Sequence, residues 1–251
     1  MLTKQRKQHI LDILKSEGQV VAKTLAIELG LSEDTIRRDL RELAKEGLLQ
    51  RVHGGALPAS SAIADYATRQ TIATDGKLAI ARAAVKMIQP GQIVILDGGT
   101  TTLQLARQLP KTLAATIVTH SPSIAVELVN HPHAEVILIG GRLFKHSVVT
   151  VGAAALEALT HIRADIYFMG VTGIHPEAGL STGDLEEAHM KKALSQHAAE
   201  TVVLASHEKL GVASPYVIMP VDSISTLIVE RNTPKTIAKP YQKLGIEVTR
   251  A

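Results

Sequence analysis

Arg37, Arg38, Arg41 and Lys45 are crowded into nine residues and could do the chemistry of nucleic-acid recognition. A guanidinium can bond two acceptors on a guanine edge in the major groove, and a lysine serves phosphates as a point charge. These residues lie in and just after Leu31-Ser32-Glu33-Asp34-Thr35-Ile36-Arg37-Arg38-Asp39-Leu40, where Ile36, Leu40 and Leu43 recur as one apolar helical stripe. At about 100° per residue, Arg38 and Lys45 fall opposite that stripe, with Asp34 and Arg41 beside them and Arg37 on the flank. The expectation is Arg38 on base edges and Arg37, Arg41 and Lys45 mainly on phosphates. Ser32 suits the helix N-cap, with Thr35 in the first turn as a further DNA contact. Glu33 and Asp34 suit the positive end of the helix dipole, and Gly47 is placed to end the helix. The same charges would suit the solvated face of an ordinary amphipathic helix, so the neighbouring elements decide.

Those elements compose a helix-turn-helix with a wing. Residues 4–17 carry Ile10, Leu11, Ile13 and Leu14 on one side and are followed by Gly18, which predicts a first helix. Residues 20–29, with Val21, Leu25 and Leu29 at helical spacing, predict a second, and Gly30 provides the turn into Ser32. After Gly47, Leu48-Leu49-Gln50-Arg51-Val52 reads as a strand and His53-Gly54-Gly55 as a hairpin turn. Such a wing sets Arg51 and His53 against the DNA backbone or in the adjacent minor groove. His53 equally suits a plain turn residue beside glycine.

A second constellation begins at Asp97-Gly98-Gly99-Thr100-Thr101-Thr102, between an apolar run at 92–96 and a helical stretch reaching Leu109. Glycines let a backbone approach an anion closely, and free N–H groups and hydroxyls can bond its oxygens. The loop is neither a P-loop nor a dinucleotide fingerprint, and a helix cap without ligand has the same appearance. Gly140-Gly141-Arg142 is another close-approach loop, which alone reads as a tight turn. Glu187 and Lys191 share a helix face at i, i+4, the spacing of a surface ion pair. Lys209 follows a further strand end.

Strands expected at 92–96, 113–119, 135–139, 164–169, 201–205, 226–229 and 246–248 are interleaved with helices at 122–130, 153–159 and 185–197. A glycine-rich loop is expected over 170–183. This α/β alternation means a mostly parallel sheet covered on both faces, whose ligands bind beyond the carboxyl ends of its strands. The convergence of Thr100, Thr101, Lys191 and Lys209 at such ends describes a basic pocket for a phosphorylated polyol or sugar. Asp97, Gly99, Gly141 and Glu187 are the other effector-binding candidates.

The 251 residues admit one large or two smaller domains. The expected division is a winged helix-turn-helix over 1–57, a linker over 58–75 opening with Pro58-Ala59-Ser60-Ser61-Ala62, and an α/β effector domain over 76–251. Cysteine is absent, which excludes disulfides and thiolate metal sites and agrees with a cytoplasmic setting. His131 and His133, flanking Pro132, read as a polar turn; no metal or cofactor is expected. Met1 leads straight into a charged helix, and no apolar run is long enough for a bilayer, so neither signal peptide nor membrane partner is expected. Net charge is only +3, and residues 1–57 hold ten Lys/Arg against eight Asp/Glu. So weak a basic balance favours a homodimer or homotetramer, which multiplies phosphate contacts. Aromatics make up 2% of the chain and tryptophan is absent, which argues for a double-stranded DNA operator over single strands.

At this point a family becomes recognisable. Thr35-Ile36-Arg37-Arg38-Asp39-Leu40, Leu43, Gly47, Arg51 and His53-Gly54-Gly55-Ala56, with Arg6 and Ile10 ahead of Leu14, closely resemble the DeoR family of bacterial transcriptional regulators. The strand with Asp97-Gly98-Gly99-Thr100-Thr101, then Val118-Thr119, Gly140-Gly141, Gly152, Gly170-Val171-Thr172-Gly173-Ile174, Gly179, Glu187-Ala188 with Lys191, and Lys209 with Gly211 resemble that family's effector domain in the same order. The resemblance implies a helix-turn-helix over about 20–39, an effector fold similar to ribose-5-phosphate isomerase, and sugar-phosphate sensing. Three positions depart from the family: Ser206 and Glu230 stand where Asp is usual, and His120 where Asn is usual. Loss of the carboxylate at 206 removes an acceptor for a sugar hydroxyl or for positioning Lys209. An unusual or weakly bound effector is therefore expected.

The expected function is that of a sequence-specific DNA-binding regulator, a repressor of carbohydrate-metabolism genes relieved by a phosphorylated sugar, and not an enzyme. The competing reading is a sugar-phosphate isomerase or hydrolase with a DNA-binding head, using Glu187 as base and Lys191 or Lys209 as electrophile. A third is an architectural DNA binder without a ligand.

Overall fold

The computed structural model describes residues 2–251, apart from the side chain of Ile63; Met1, the first residue of the expected DNA-binding domain, lies outside it. The head runs α1 (Thr3–Glu17), β1 (Val20–Val21), α2 (Ala22–Leu29), α3 (Glu33–Lys45), β2 (Leu49–Val52) and β3 (Gly55–Pro58). Its small core takes Ile10 and Leu14 from α1, Leu25 from α2, and Ile36, Leu40 and Leu43 from α3. The apolar stripe of α3 is thus fully used, and truncating Leu40 to alanine would cost roughly 3 kcal/mol.

Residues 20–21, expected in a helix, form a strand instead. Val20 pairs with Ala56 and Val21 with Gly55, giving a three-stranded antiparallel sheet in the order β1-β3-β2. The β-branched valines favour this partner, which no local pattern announces. Glycine is required at 55: a Cβ there would lie 1.8 Å from the carbonyl oxygen of Val20.

The stretch 58–75 is docked along much of its length on the C-terminal part. Ala59 forms a bridge with Ala213, and the Ser60 hydroxyl donates to the carbonyl of Thr172. Then come a 3-10 turn (Ser61–Ile63), α4 (Tyr66–Thr71) and α5 (Thr74–Val85). Asp65 caps α4, its Oδ1 accepting from the Thr68 N–H at 2.8 Å.

The C-terminal part continues with β4 (Ile93–Leu96), α6 (Thr100–Arg107), β5 (Thr116–Thr119), α7 (Pro122–Leu128), β6 (Glu135–Leu138), β7 (Arg142–Phe144), β8 (Val149–Val151) and α8 (Ala153–Ala158). It closes with β9 (Ala164–Gly170), β10 (Gly173–His175), β11 (Gly179–Thr182), α9 (Leu185–Gln196), β12 (Ala198–Ala205), β13 (Tyr216–Met219), β14 (Thr226–Val229), α10 (Lys235–Lys243) and β15 (Glu247–Arg250). Seven parallel strands form one sheet in the order β15-β14-β12-β9-β4-β5-β6. Alternate residues serve opposite cores: Ile95, Tyr167, Met169 and Val203 pack on one face, Val94, Leu96, Phe168 and Leu204 on the other. Burial on both faces is why these strands read as continuous apolar runs.

Two expectations change here. The stretch 170–183 is not all loop, because β10 and β11 form a hairpin within it that also pairs with β13. The strand expected from 113 begins only at Thr116. Among the described residues no helix is long and apolar enough to cross a membrane.

Candidate functional site

On the head, Ser32 caps α3 as its residue type requires. Its Oγ accepts from the Thr35 N–H at 3.2 Å and meets Thr35 Oγ1 at 2.9 Å. Arg37 leans back on Glu33, with Nη2 2.6 Å and Nε 3.0 Å from Oε1. Arg38, Arg41 and Lys45 are exposed, and their side chains make no hydrogen bond or ion pair among the described residues. Arg51 and His53 are exposed on the β2–β3 hairpin. A concavity between α3 and that hairpin brings Arg37, Arg51 and His53 together; Arg38, Arg41 and Lys45 lie outside its lining.

Beneath α3, Asp39 is wholly buried and receives a two-pronged bond from Arg6: Nε to Oδ2, and Nη2 to Oδ1 at 3.2 Å. The sequence carries no local sign of this pairing, because the two partners lie on different helices and the helical stripe is defined by apolar positions alone. The pair fixes α1 against the helix that carries the exposed cations.

The second site follows from the sheet order. From β4 the chain steps to β5 and β6 on one side, then returns to β9 on the other. Loops leaving the carboxyl ends of β4 and β9 therefore diverge and leave a crevice between them. The crevice encloses about 460 Å³ of space, part of it open to solvent. Gly98 to Thr102 line it after β4, Gly170 to Thr172 from the end of β9 onward, Glu187 and Lys191 from α9, and Glu208 and Lys209 after β12. Helix α6 opens with Gly99 as its N-cap, at φ +131° and with no side chain to cap. The first-turn N–H groups of Thr100, Thr101 and Thr102 are thus left to an incoming anion.

Asp97 lies under the crevice and does not line it. Its Oδ1 accepts from the Gly98 N–H and faces His120 Nε2, each at 2.8 Å. Its Oδ2 accepts from the Gly170 N–H at 2.8 Å and from Lys191 Nζ at 2.5 Å. Burial alone would raise the Asp97 pKa, but the Lys191 charge and the His120 bond overcome it and hold it at about 2. Lys191 also donates to the Gly170 carbonyl at 2.9 Å and stands 3.6 Å from Glu187. Glu187 accepts from Thr182 Oγ1 at 2.9 Å. The Glu187–Lys191 pair, spaced as a surface pair, is therefore interior, at 4% and 2% exposure.

Three buried or half-buried cations complete the crevice. Lys209 Nζ lies 3.4 Å from Thr101 Oγ1, and burial pushes its pKa down to about 8 against the opposing charge of Glu208. Lys77 donates to the Arg69 carbonyl at 2.5 Å, and burial lowers its pKa as well. Arg69 donates from Nη2 to Ser147 Oγ at 3.3 Å, while its buried Nε has no acceptor among the described residues. Desolvation lowers the pKa of this guanidinium too. None of the three forms an ion pair among the described residues.

The structure thus brings Gly99, Thr100, Thr101, Glu187, Lys191 and Lys209 to one crevice, with Asp97 as the buried anchor of Lys191. Gly141 does not line this crevice: it is exposed, and a Cβ there would meet the Val151 carbonyl oxygen of β8 at 2.9 Å.

Sequence reasoning missed Arg69, Lys77 and Glu208. Lys77 left a signal, since it shares the apolar face of α5 with Ile80 and Ala84, where a lysine is out of place. Arg69 left none in a polar segment. At the departing positions, His120 is fully buried between Asp97 and the Thr150 carbonyl, and Ser206 Oγ donates to Glu208 Oε1 at 2.7 Å. Glu230 Oε1 accepts from the His207 N–H and faces its Nδ1, each at 2.9 Å. His131 is held in its turn by Pro110 and Ala134 backbone atoms.

Residues 6–62 match the family described as DeoR-like helix-turn-helix domain, and residues 72–231 that described as DeoR C terminal sensor domain. The HTH-type transcriptional regulator GlpR of Haloferax volcanii is 35% identical over 250 residues, covering 99% of this chain and 98% of that protein. A putative aga operon transcriptional repressor of Escherichia coli O157:H7 is 32% identical, covering 98% and 93%. The glycerol-3-phosphate regulon repressor of Escherichia coli K12 is 32% identical, covering 82% of each chain. Among solved structures, ribose 5-phosphate isomerase A of Methanocaldococcus jannaschii aligns at TM-score 0.41 and 20% identity over 54% of each chain. The full-length sorbitol operon regulator SorC of Klebsiella pneumoniae aligns at TM-score 0.42 and 12% identity over 96% and 98%.

Proposed function

The chain belongs to the DeoR family of DNA-binding transcriptional regulators, and on that premise we propose that it represses carbohydrate-metabolism genes until a small phosphorylated sugar or polyol fills the β4–β9 crevice. One observation carries the effector half. Arg69, Lys77 and Lys209 converge, largely desolvated, with no carboxylate bonded to any of them. Glu208 offsets part of this positive charge and the remainder calls for a counter-charge, while the uncapped start of α6 supplies N–H donors for the same oxygens. The relative named as a glycerol-3-phosphate regulon repressor supports a small phosphorylated ligand.

The DNA half rests on Arg38, Arg41 and Lys45, exposed and unpaired on α3, with Arg37, Arg51 and His53 alongside and Ser32 and Thr35 at the helix start. The protein acts in the cytoplasm as a homodimer or homotetramer, since one head alone presents few phosphate contacts. We read it as a regulator and not an enzyme, as its relatives are regulators; Asp97 and Glu187 are held by Lys191 and Thr182, so neither is left as a free base.

The test is to select bound duplexes from a random library, then challenge the complex with sugar phosphates and their matched free sugars. Release by a phosphate ester and not by its free sugar is the expected result. Failure to enrich any sequence overturns the operator reading, and a complex indifferent to every ester overturns the effector reading. Turnover of an aldose phosphate would restore the enzyme reading.

A further inference from the structure

One group lining the crevice, Glu208, has no part in holding an anion. Glu208 follows β12 next to Lys209, faces the crevice, and has a side chain only 10% exposed. Its Oε1 is bonded to Ser206 Oγ. Its Oε2 is buried and receives no hydrogen bond from any described residue. His207 Nδ1 lies 3.9 Å away, beyond hydrogen-bond range, and is engaged with Glu230 at 2.9 Å.

A carboxylate beside a phosphate site works against the phosphate through like charge, and a buried acceptor with no donor is unfavourable in itself. Both features become useful if the ligand has two unlike ends. We propose that Glu208 Oε2 accepts a hydrogen bond from a hydroxyl of the effector, so the crevice selects a polyhydroxylated phosphate ester over inorganic phosphate. The inference rests on the phosphate reading of the same crevice and adds its polar complement. Ser206 orients the carboxylate by holding the other oxygen. The acceptor absent from position 206 is thereby supplied two residues later, on the same loop. A site lacking its matched hydroxyl leaves this acceptor unpaired, which is how such sites reject simpler analogues.

The same three side chains offer another use, because ligating atoms of His207, Glu208 and Glu230 lie within 4.8 Å of one another. A divalent cation there would neutralise Oε2 without any sugar. The hydroxyl is favoured because His207 Nδ1 and Glu230 Oε1 are already engaged with each other at 2.9 Å, which leaves Glu208 Oε2 as the atom of the three without a partner.

The experiment measures binding of inorganic phosphate, methyl phosphate, glycerol 3-phosphate and a panel of pentose and hexose phosphates to the full-length protein and to Glu208→Ala. Manganese and zinc are tested alone. In the native protein at least one hydroxylated ester should bind ten or more times tighter than methyl phosphate. In Glu208→Ala that ratio should fall close to one, with inorganic phosphate bound as well as before or better. Glu208→Gln retains an acceptor oxygen without the charge, keeps the volume, and serves if the alanine variant does not fold; it should preserve part of the ratio. Phosphates that bind without preference for hydroxyls would overturn the inference and leave the anion reading standing. Equal weakening of methyl phosphate and sugar phosphate in Glu208→Ala would also overturn it. So would a manganese or zinc shift lost in Glu208→Ala, which assigns Oε2 to a cation. No binding of any phosphate would overturn the anion reading, and this inference with it.

Discussion

Arg6 and Asp39 stand 33 residues apart in the chain and meet as a buried, two-pronged ion pair that holds α1 to α3. Such a pair is weak as net stabilisation but strongly destabilising to break, because the survivor keeps its desolvation penalty. Asp39→Ala should therefore remove about 3 kcal/mol from the head, a large share of what so small a domain holds. Calorimetry should show an early transition assigned to the head, with effector binding intact. A single transition at the native temperature would mean that the pair contributes nothing.

Arg38 is exposed and unpaired on α3, opposite the buried stripe. Arg38→Ala should narrow the gap between operator and scrambled duplex by about 1–3 kcal/mol for each base that it reads. Lys45→Ala should weaken both duplexes alike and reduce the salt dependence of binding by about one phosphate contact. If the gap survives Arg38→Ala unchanged, base reading lies elsewhere, and the groove lined by Arg37, Arg51 and His53 becomes the first alternative.

The Lys209 pKa of about 8, against an ordinary value of 10.5, gives two pH dependences of opposite sense. A bound phosphate favours the charged lysine, so affinity for the ester should fall about fivefold between pH 8 and 9. Without ligand, the folded chain releases this proton before the unfolded chain does. From pH 8 to 10.5 the unfolded state binds more protons, so this group makes folding more favourable as pH rises through that window. Lys209→Arg, which stays charged, should flatten the affinity profile. Titration calorimetry at pH 7, 8 and 9 checks it, and a flat native profile would remove Lys209 from the phosphate contacts.

Arg69 belongs to the segment between head and sensor, yet its side chain lines the crevice. Ser60, in the same segment, is tied to Thr172 at the carboxyl end of β9. An anion that engages Arg69 acts directly on the chain leading to the DNA-binding head. Arg69→Met should weaken ester binding several-fold and, at saturating ester, leave more protein on the operator than the native chain does. Equal release at saturation would show that coupling runs by another route, since linkage ties release to differential affinity alone.

The residues whose roles were legible in the sequence act through neighbours close along the chain. Ser32 caps α3 because its hydroxyl reaches the Thr35 N–H within one turn, and Ile36, Leu40 and Leu43 face inward because helical spacing leaves them no other face. Strands buried on both sides, interleaved with helices, likewise fix a parallel sheet and send polar loops to its carboxyl ends. What only the tertiary structure decided is which of those loops meet. Lys209 and Thr101 are 108 residues apart and become neighbours because β9 returns beside β4. The same return buries the Glu187–Lys191 pair, which spacing alone assigns to the surface, and leaves Gly141 out of the crevice. Val20 and Val21 become a strand only because Gly55 lets a second backbone approach. Periodicity records which side of an element is apolar. It does not record which element lies opposite, and the desolvation that shifts Lys209 and leaves Glu208 Oε2 without a donor arises from that opposition.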